Sequence, residues 1–252
     1  MLFLHGLGGD LTAWNPEMEY FENLGYSVAA LDLRGHGLSE KGKGKEFYDF
    51  INYAQDVEFF IQKQKFKKVI LIGHCFGGMV SLYVASRRVV GLSGLVLIDT
   101  SYKPPIFLGS NSLEKGLLKH VVSFLAYILP NIEIKKHVDF TKYRGTHDID
   151  IERFTSDVLH TSIKSYLLIC EELIGYDAKK LLEYIKIPTL VMEGENDTIF
   201  PPKISKYLAK RIIHSRLDLI PQANHILVIN NPHEVSNSID EFLDTIERNT
   251  KK

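Results

Sequence analysis

Val69-Ile70-Leu71-Ile72-Gly73-His74-Cys75-Phe76-Gly77-Gly78 is an apolar run that enters a glycine-flanked turn with a thiol at its tip. The run reads as a strand. Glycines on either side of the tip suit a turn so tight that a Cβ would collide with the neighbouring strand or helix. Such a turn lifts one side chain clear of the sheet. Residues 76–88 then read as a helix, and the dipole at its N-terminus favours a thiolate. Cys75 is thereby placed to attack an electrophile.

Further segments sit just past other strand-like runs. His5-Gly6-Leu7-Gly8-Gly9-Asp10 follows residues 1–4, and its glycines let backbone N–H groups approach a ligand. Asp32-Leu33-Arg34-Gly35-His36-Gly37-Leu38-Ser39 follows residues 26–31 and reads as architectural. Gly194-Glu195-Asn196-Asp197 follows the run 189–192, and Asn224-His225 follows 217–220.

Together these segments resemble the α/β-hydrolase superfamily. The elbow pattern G-x-S-x-G carries Cys in place of Ser, and nucleophile, acid and histidine come in that family's chain order. The resemblance runs from residue 1 to about 243 and is weakest over 102–185. It implies a carboxylesterase- or lactonase-like hydrolase with Cys75 as nucleophile, His225 as base and Asp197 as the carboxylate that orients the imidazole. The N–H groups of Leu7 and Phe76 are the implied oxyanion hole. Asp99, just after the run 95–98, is a second candidate for the acid and ranks behind Asp197. A hairpin usually precedes the first strand in this family. Here that strand begins at Met1, so either the sequence is truncated or mis-started, or the sheet lacks its first two strands and leaves an open edge that a second copy could pair with as a homodimer.

The 252 residues, 45% of them hydrophobic, suit one moderately large globular domain. Strands are expected near residues 2–4, 28–31, 69–72, 95–98, 189–192 and 216–219. Helices are expected near 11–24, 47–64, 77–86, 202–212 and 233–246. This alternation argues βαβ units and a mostly parallel sheet of about six strands. In the helix over 47–64, Phe47, Ile51, Ala54, Val57 and Ile61 fall on one inward face. Residues 1–100 and 186–252 form the expected α/β core. Residues 101–185 are an inserted helical cap, crowded with apolar side chains such as Leu117, Leu118, Val121, Val122, Phe124, Leu125, Tyr127 and Ile128. Most of these belong to the cap's own packing, yet they are too many for one face. An apolar lid over Cys75 would favour hydrophobic substrates and exclude water.

Thirty Lys and Arg stand against 31 Asp and Glu, interspersed, which argues against a nucleic-acid partner. No run is long enough for stable membrane insertion, and residues 1–4 lack the flank and length of a signal peptide. Two cysteines make a poor disulfide framework, so a reducing compartment, the cytoplasm, is expected. Neither H-E-x-x-H nor paired C-x-x-C spacing occurs, so no metal and no cofactor are expected.

The remaining candidates read as structural. His74 should face away from Cys75, and His5 and His36 suit hydrogen-bonded loop positions. Glu193 and Glu195 flank the acid's turn without a role, Cys170 reads as a small hydrophobe, and Phe76 is a better pocket wall than Trp14. Hydrolysis of a hydrophobic ester, thioester or lactone through a thioacyl enzyme is the leading reading. A thioester also acylates amines and thiols, so acyl transfer stands second. A ligand-binding protein that uses the inherited pocket stands third.

Overall fold

The computed structural model describes residues 1–105, 108 and 111–250. Six strands appear where expected: β1 (Leu2–Leu4), β2 (Ala29–Leu31), β3 (Val69–His74), β4 (Leu92–Ile98), β5 (Thr189–Gly194) and β6 (Ser215–Ile220). They form one sheet in the order β2-β1-β3-β4-β5-β6, and every neighbouring pair is parallel. Leu2 pairs with Ala29 on one side and Leu71 on the other, so β2 is the outer strand at that end. The chain steps outward from β1 to β2 and then returns past β1 to start β3. Where strand order reverses in this way, a crevice opens at the carboxyl ends of the strands.

The alternation along β3 divides the core. Val69 and Leu71 pack into a cluster with α2 (Phe50–Lys63) and α3 (Phe76–Ser86), while Ile70 and Ile72 join the opposite cluster. On that second face lie α1 (Asn15–Asn23) and α9 (Pro232–Thr250), in contact with each other. Nine of the eleven residues of α3 are buried, because this helix is covered on all sides.

Two expected helices are interrupted. The spacing predicted one helix over 47–64, but Asp49 at ψ 135° ends a 3-10 turn over Lys45–Tyr48 before α2 begins. The break resets the phase, so the inward face of α2 is Phe50, Tyr53, Ala54, Val57 and Ile61, and Ile51 is exposed. Likewise, residues 11–24 divide into a 3-10 turn over Leu11–Trp14 and α1.

Between β4 and β5 the chain forms α4 (Ser112–Ile128), α5 (Ile151–Thr161) and α6 (Ile163–Ile174). The Ala178 N–H donates to the Tyr102 carbonyl at 2.9 Å, so this segment leaves and rejoins the core at adjacent points. The apolar residues of α4 do not all face inward. Val122 and Ala126 are buried, whereas Leu113, Leu117, Phe124 and Tyr127 are 84, 69, 61 and 83% exposed. The expectation that this crowding roofs Cys75 is therefore corrected for the outer row of α4. It is α6, packed against α4, that brings Tyr166 near Cys75. After β5 and β6 come α7 (Lys203–Arg211) and α8 (Leu227–Asn230). No helix among the described residues is long and apolar enough to cross a membrane.

Candidate active site

At the end of β3, Cys75 adopts φ 49° and ψ −111°, a conformation that non-glycine residues rarely take and that costs about 1–3 kcal/mol. The surroundings hold it there. Its N–H donates to the Ile98 carbonyl (2.9 Å), and its own carbonyl accepts from Thr100 Oγ1 (2.6 Å) and the Met79 N–H (3.0 Å). A Cβ on Gly77 would stand 2.3 Å from the Leu4 carbonyl oxygen, and one on Gly73 2.5 Å from that of Gly77. The glycines flanking the tip are thus required by close backbone approach, as their spacing predicts.

The loop after β1 closes on this turn. A Cβ on Gly6 would lie 2.9 Å from His74 Nδ1 and 3.4 Å from Cys75 Cβ, and Gly8, at φ +81°, is covered by Asp157 of α5. His5 Nδ1–H donates to the Gly6 carbonyl (2.8 Å), and its Nε2 accepts from the Leu33 N–H (3.0 Å), so this histidine braces two loops. Its ring packs on His36, which packs in turn on Phe76. Phe76 is buried among His36, Phe50 and Tyr53, which corrects the expectation that it walls a pocket. Trp14 is likewise buried. Among the described residues, neither the Leu7 nor the Phe76 N–H donates to a protein acceptor.

Asp197 and His225 arrive from the loops after β5 and β6. His225 Nδ1–H donates to Asp197 Oδ2 at 2.7 Å, while Asp197 Oδ1 accepts from the N–H groups of Ile199 (2.6 Å) and Phe200 (2.8 Å). Burial alone would make His225 release its proton, but the Cys75 sulfur, in hydrogen-bonding reach, and the Asp197 carboxylate outweigh it. They hold the imidazole well above the usual histidine range. Burial pushes Asp197 upward, and its hydrogen bonds with His225 and Phe200 more than reverse this, so it stays ionised below the usual carboxylate value.

Asp99 does not face the imidazole Nδ1. Its oxygens accept from the Gly194 (2.9 Å) and Leu227 (3.3 Å) N–H groups, so it braces the turns that carry the other two residues. His74 donates from Nε2 to the His225 carbonyl (2.9 Å), and the two ring centroids lie 5.4 Å apart. Burial, reinforced by the charge of His225, holds His74 neutral with a pKa of about 3.

Behind His225 lies a group that residue order did not reveal. Asp99, Glu193 and Asp197 are all buried, with one oxygen of each within 4.8 Å of the others. Both Glu193 oxygens lack a donor from other groups, and burial together with the charges of Asp99 and Asp197 drives its carboxyl far above the usual range. Three buried carboxylates cannot all stay ionised, so Glu193 holds a proton. This trio is the one set of metal-type donors among the described residues, and a cation there would compete with His225 for Asp197.

Asp148, before α5, was also missed. It accepts from the His225 N–H (2.7 Å) and from the Thr198 N–H (2.8 Å) and hydroxyl (2.6 Å). No local pattern distinguishes an aspartate in an irregular connection, so nothing in the sequence pointed to it. Cys170, on α6, has its thiol pushed up to about 12 by burial and fits the expected small hydrophobe. Cys75 is half-buried. Cavities of about 420, 260 and 320 Å³ lie away from it, the first of them between Met1, Tyr26, Phe66 and Leu243.

A family model described as alpha/beta hydrolase fold matches residues 1–232. Protein ABHD8 of Bos taurus is 23% identical over 247 residues, covering 96% of this chain and 55% of that protein. The chain therefore spans about half the length of such relatives. A 3-oxoadipate enol-lactonase of Acinetobacter baylyi is 23% identical over 245 residues, covering 96% of this chain and 88% of the lactonase. Among solved structures, a thermophilic esterase from Thermogutta terrifontis superposes with a TM-score of 0.77 at 25% identity, covering 97% of this chain and 89% of that one.

Proposed function

Because the chain belongs to the alpha/beta hydrolase fold family, we propose that it hydrolyses carboxylic esters, thioesters or lactones of hydrophobic small molecules, with Cys75 as the nucleophile. The observation that carries this reading is His225, bonded through Nδ1 to Asp197 at 2.7 Å and within reach of the Cys75 sulfur. With Nδ1 held as donor, Nε2 faces the thiol and takes its proton. The resulting thiolate attacks the carbonyl carbon. The oxyanion forms against the free N–H groups of Leu7 and Phe76. Collapse breaks the bond to the alcohol or thiol, which leaves with the proton from His225. Water, deprotonated by His225, then cleaves the thioester and restores the thiol.

In this reading residues 101–185 act as a cap on a core of residues 1–100 and 186–252. Cys75 is half-buried and packs against the same apolar cluster as Leu7, Leu118, Leu167 and Cys170, which supports an apolar acyl group. The lactonase and esterase relatives fit the same chemistry.

Incubation with an activated acyl ester is expected to give a transient acyl adduct on Cys75 by intact-mass measurement, together with multiple turnovers. Cys75→Ala and iodoacetamide should abolish both. Full turnover after complete alkylation of Cys75 would overturn the assignment. Diversion of product to an added amine or thiol would make acyl transfer the activity, and tight ligand binding without turnover would make the chain a binding protein.

A further inference from the structure

We infer that Asp148 is a positioning residue for the candidate reaction, because one carboxylate from the connection between α4 and α5 fixes both loops that carry the acid and the base. Its Oδ1 accepts from the His225 N–H at 2.7 Å. Its Oδ2 accepts from Thr198, adjacent to Asp197, through the N–H at 2.8 Å and the hydroxyl at 2.6 Å. These loops follow different strands, and the contact between His225 and the Cys75 sulfur depends on both staying in place. A side-chain displacement of about 1 Å can cost on the order of 10² in rate.

Asp148 is itself anchored. Arg153 Nη2 donates to its carbonyl at 2.6 Å. The same strand of chain is sewn to the histidine loop again: Asn224 and Asn230 each donate from Nδ2 to the Thr146 carbonyl at 3.0 Å, and the Gly145 N–H donates to Asn230 Oδ1 at 2.7 Å. The segment between α4 and α5 thus helps align the site, and its displacement would loosen His225.

This inference rests on the Cys75 reading, and its test separates the two. Kinetics on an activated ester are measured for the full chain and for Cys75→Ala, Asp148→Ala, Asp148→Asn and Asp150→Ala. Asp150 caps α5 through the Arg153 N–H at 2.8 Å, so its loss weakens the same connection without touching either loop. Asp148→Ala is expected to lower kcat by roughly 10–100-fold with KM within about twofold, the range typical of residues that orient a reacting group through hydrogen bonds. It should also move the alkaline limb of the pH–rate profile downward, because His225 is held less firmly against its partners. Asp148→Asn keeps one acceptor and should fall between Ala and wild type, which also serves if the Ala variant does not fold. Asp150→Ala should lower Tm while leaving kcat and the limb unchanged.

Wild-type kcat and limb in both Asp148 variants, with Cys75→Ala inactive, would overturn the positioning role and leave the nucleophile standing. Equal losses in Asp150→Ala would reduce Asp148 to a structural support. Turnover in Cys75→Ala would overturn both readings together.

Discussion

Asp197 keeps its charge inside the fold only because His225 and two backbone N–H groups compensate for burial, and the Cys75 sulfur together with that contact raises the basicity of the imidazole. Replacing Asp197 with Asn removes a negative charge from beside the ring. The alkaline limb of kcat/KM should then move to lower pH, and kcat should fall by roughly 10²–10⁴. An unchanged pH–rate profile would remove Asp197 from this role. A separate buried carboxyl reports on stability. Glu17 of α1 is fully buried, and burial, only partly offset by its own backbone N–H and by Arg144, raises its pKa to about 8. A raised folded value means that the proton is held more tightly in the native state. Its stabilising effect is therefore whole below the unfolded value of about 4.5 and is lost as pH climbs towards about 8. Glu17→Gln should leave Tm nearly unchanged at pH 5 and raise it by about 5 °C or more at pH 9, as read by calorimetry. At this scale the sequence was informative where residues act in sequence-local patterns. Cys75, Asp197 and His225 each follow a strand end, so their order exposed them. Glu193 and Asp148 owe their surroundings to residues up to about a hundred positions away, and no local pattern encodes that.

Strands were legible because a fully buried parallel strand must be apolar along its whole length, and the run 69–72 meets that demand. Helix phase was less legible. Asp49 interrupts the pattern over 47–64 by leaving helical geometry, and Ile51 rotates outward as a result. In α4 the apolar residues fall all round the axis, so periodicity could not say which row meets the core. Two glycines give opposite expectations for elements of the same fold. Gly116 in α4 has open space where a Cβ would go, so Gly116→Ala should stabilise by about 0.5–1 kcal/mol, seen as a rise in Tm of roughly 1–4 °C. At Gly77 the added carbon would meet the Leu4 and His5 carbonyl oxygens at 2.3 and 2.6 Å, which are backbone atoms of β1 and the loop after it. Gly77→Ala should cost more than about 3 kcal/mol by denaturant unfolding, and a variant as stable as wild type would show that the elbow can shift.

Across the molecule, the reversal of strand order between β1 and β3 brings the glycine loop to the elbow and leaves the later strands to deliver acid and base from one side. That layout was readable from the sequence as an order of segments, since each lies past a strand. The balance of 30 basic and 31 acidic residues gives the surface no dominant sign. It does not describe how apolar exposure is distributed. Of the nineteen exposed large hydrophobic residues among those described, eleven fall between Leu113 and Phe154. The segment from Leu113 to Phe154 should therefore behave as an adhesive strip. Ammonium sulfate strengthens apolar adhesion, so the chain should be retained on a phenyl resin at high salt. The double substitution Leu117→Glu with Phe124→Glu should bring elution forward while leaving the melting curve in place, since neither side chain supports the interior.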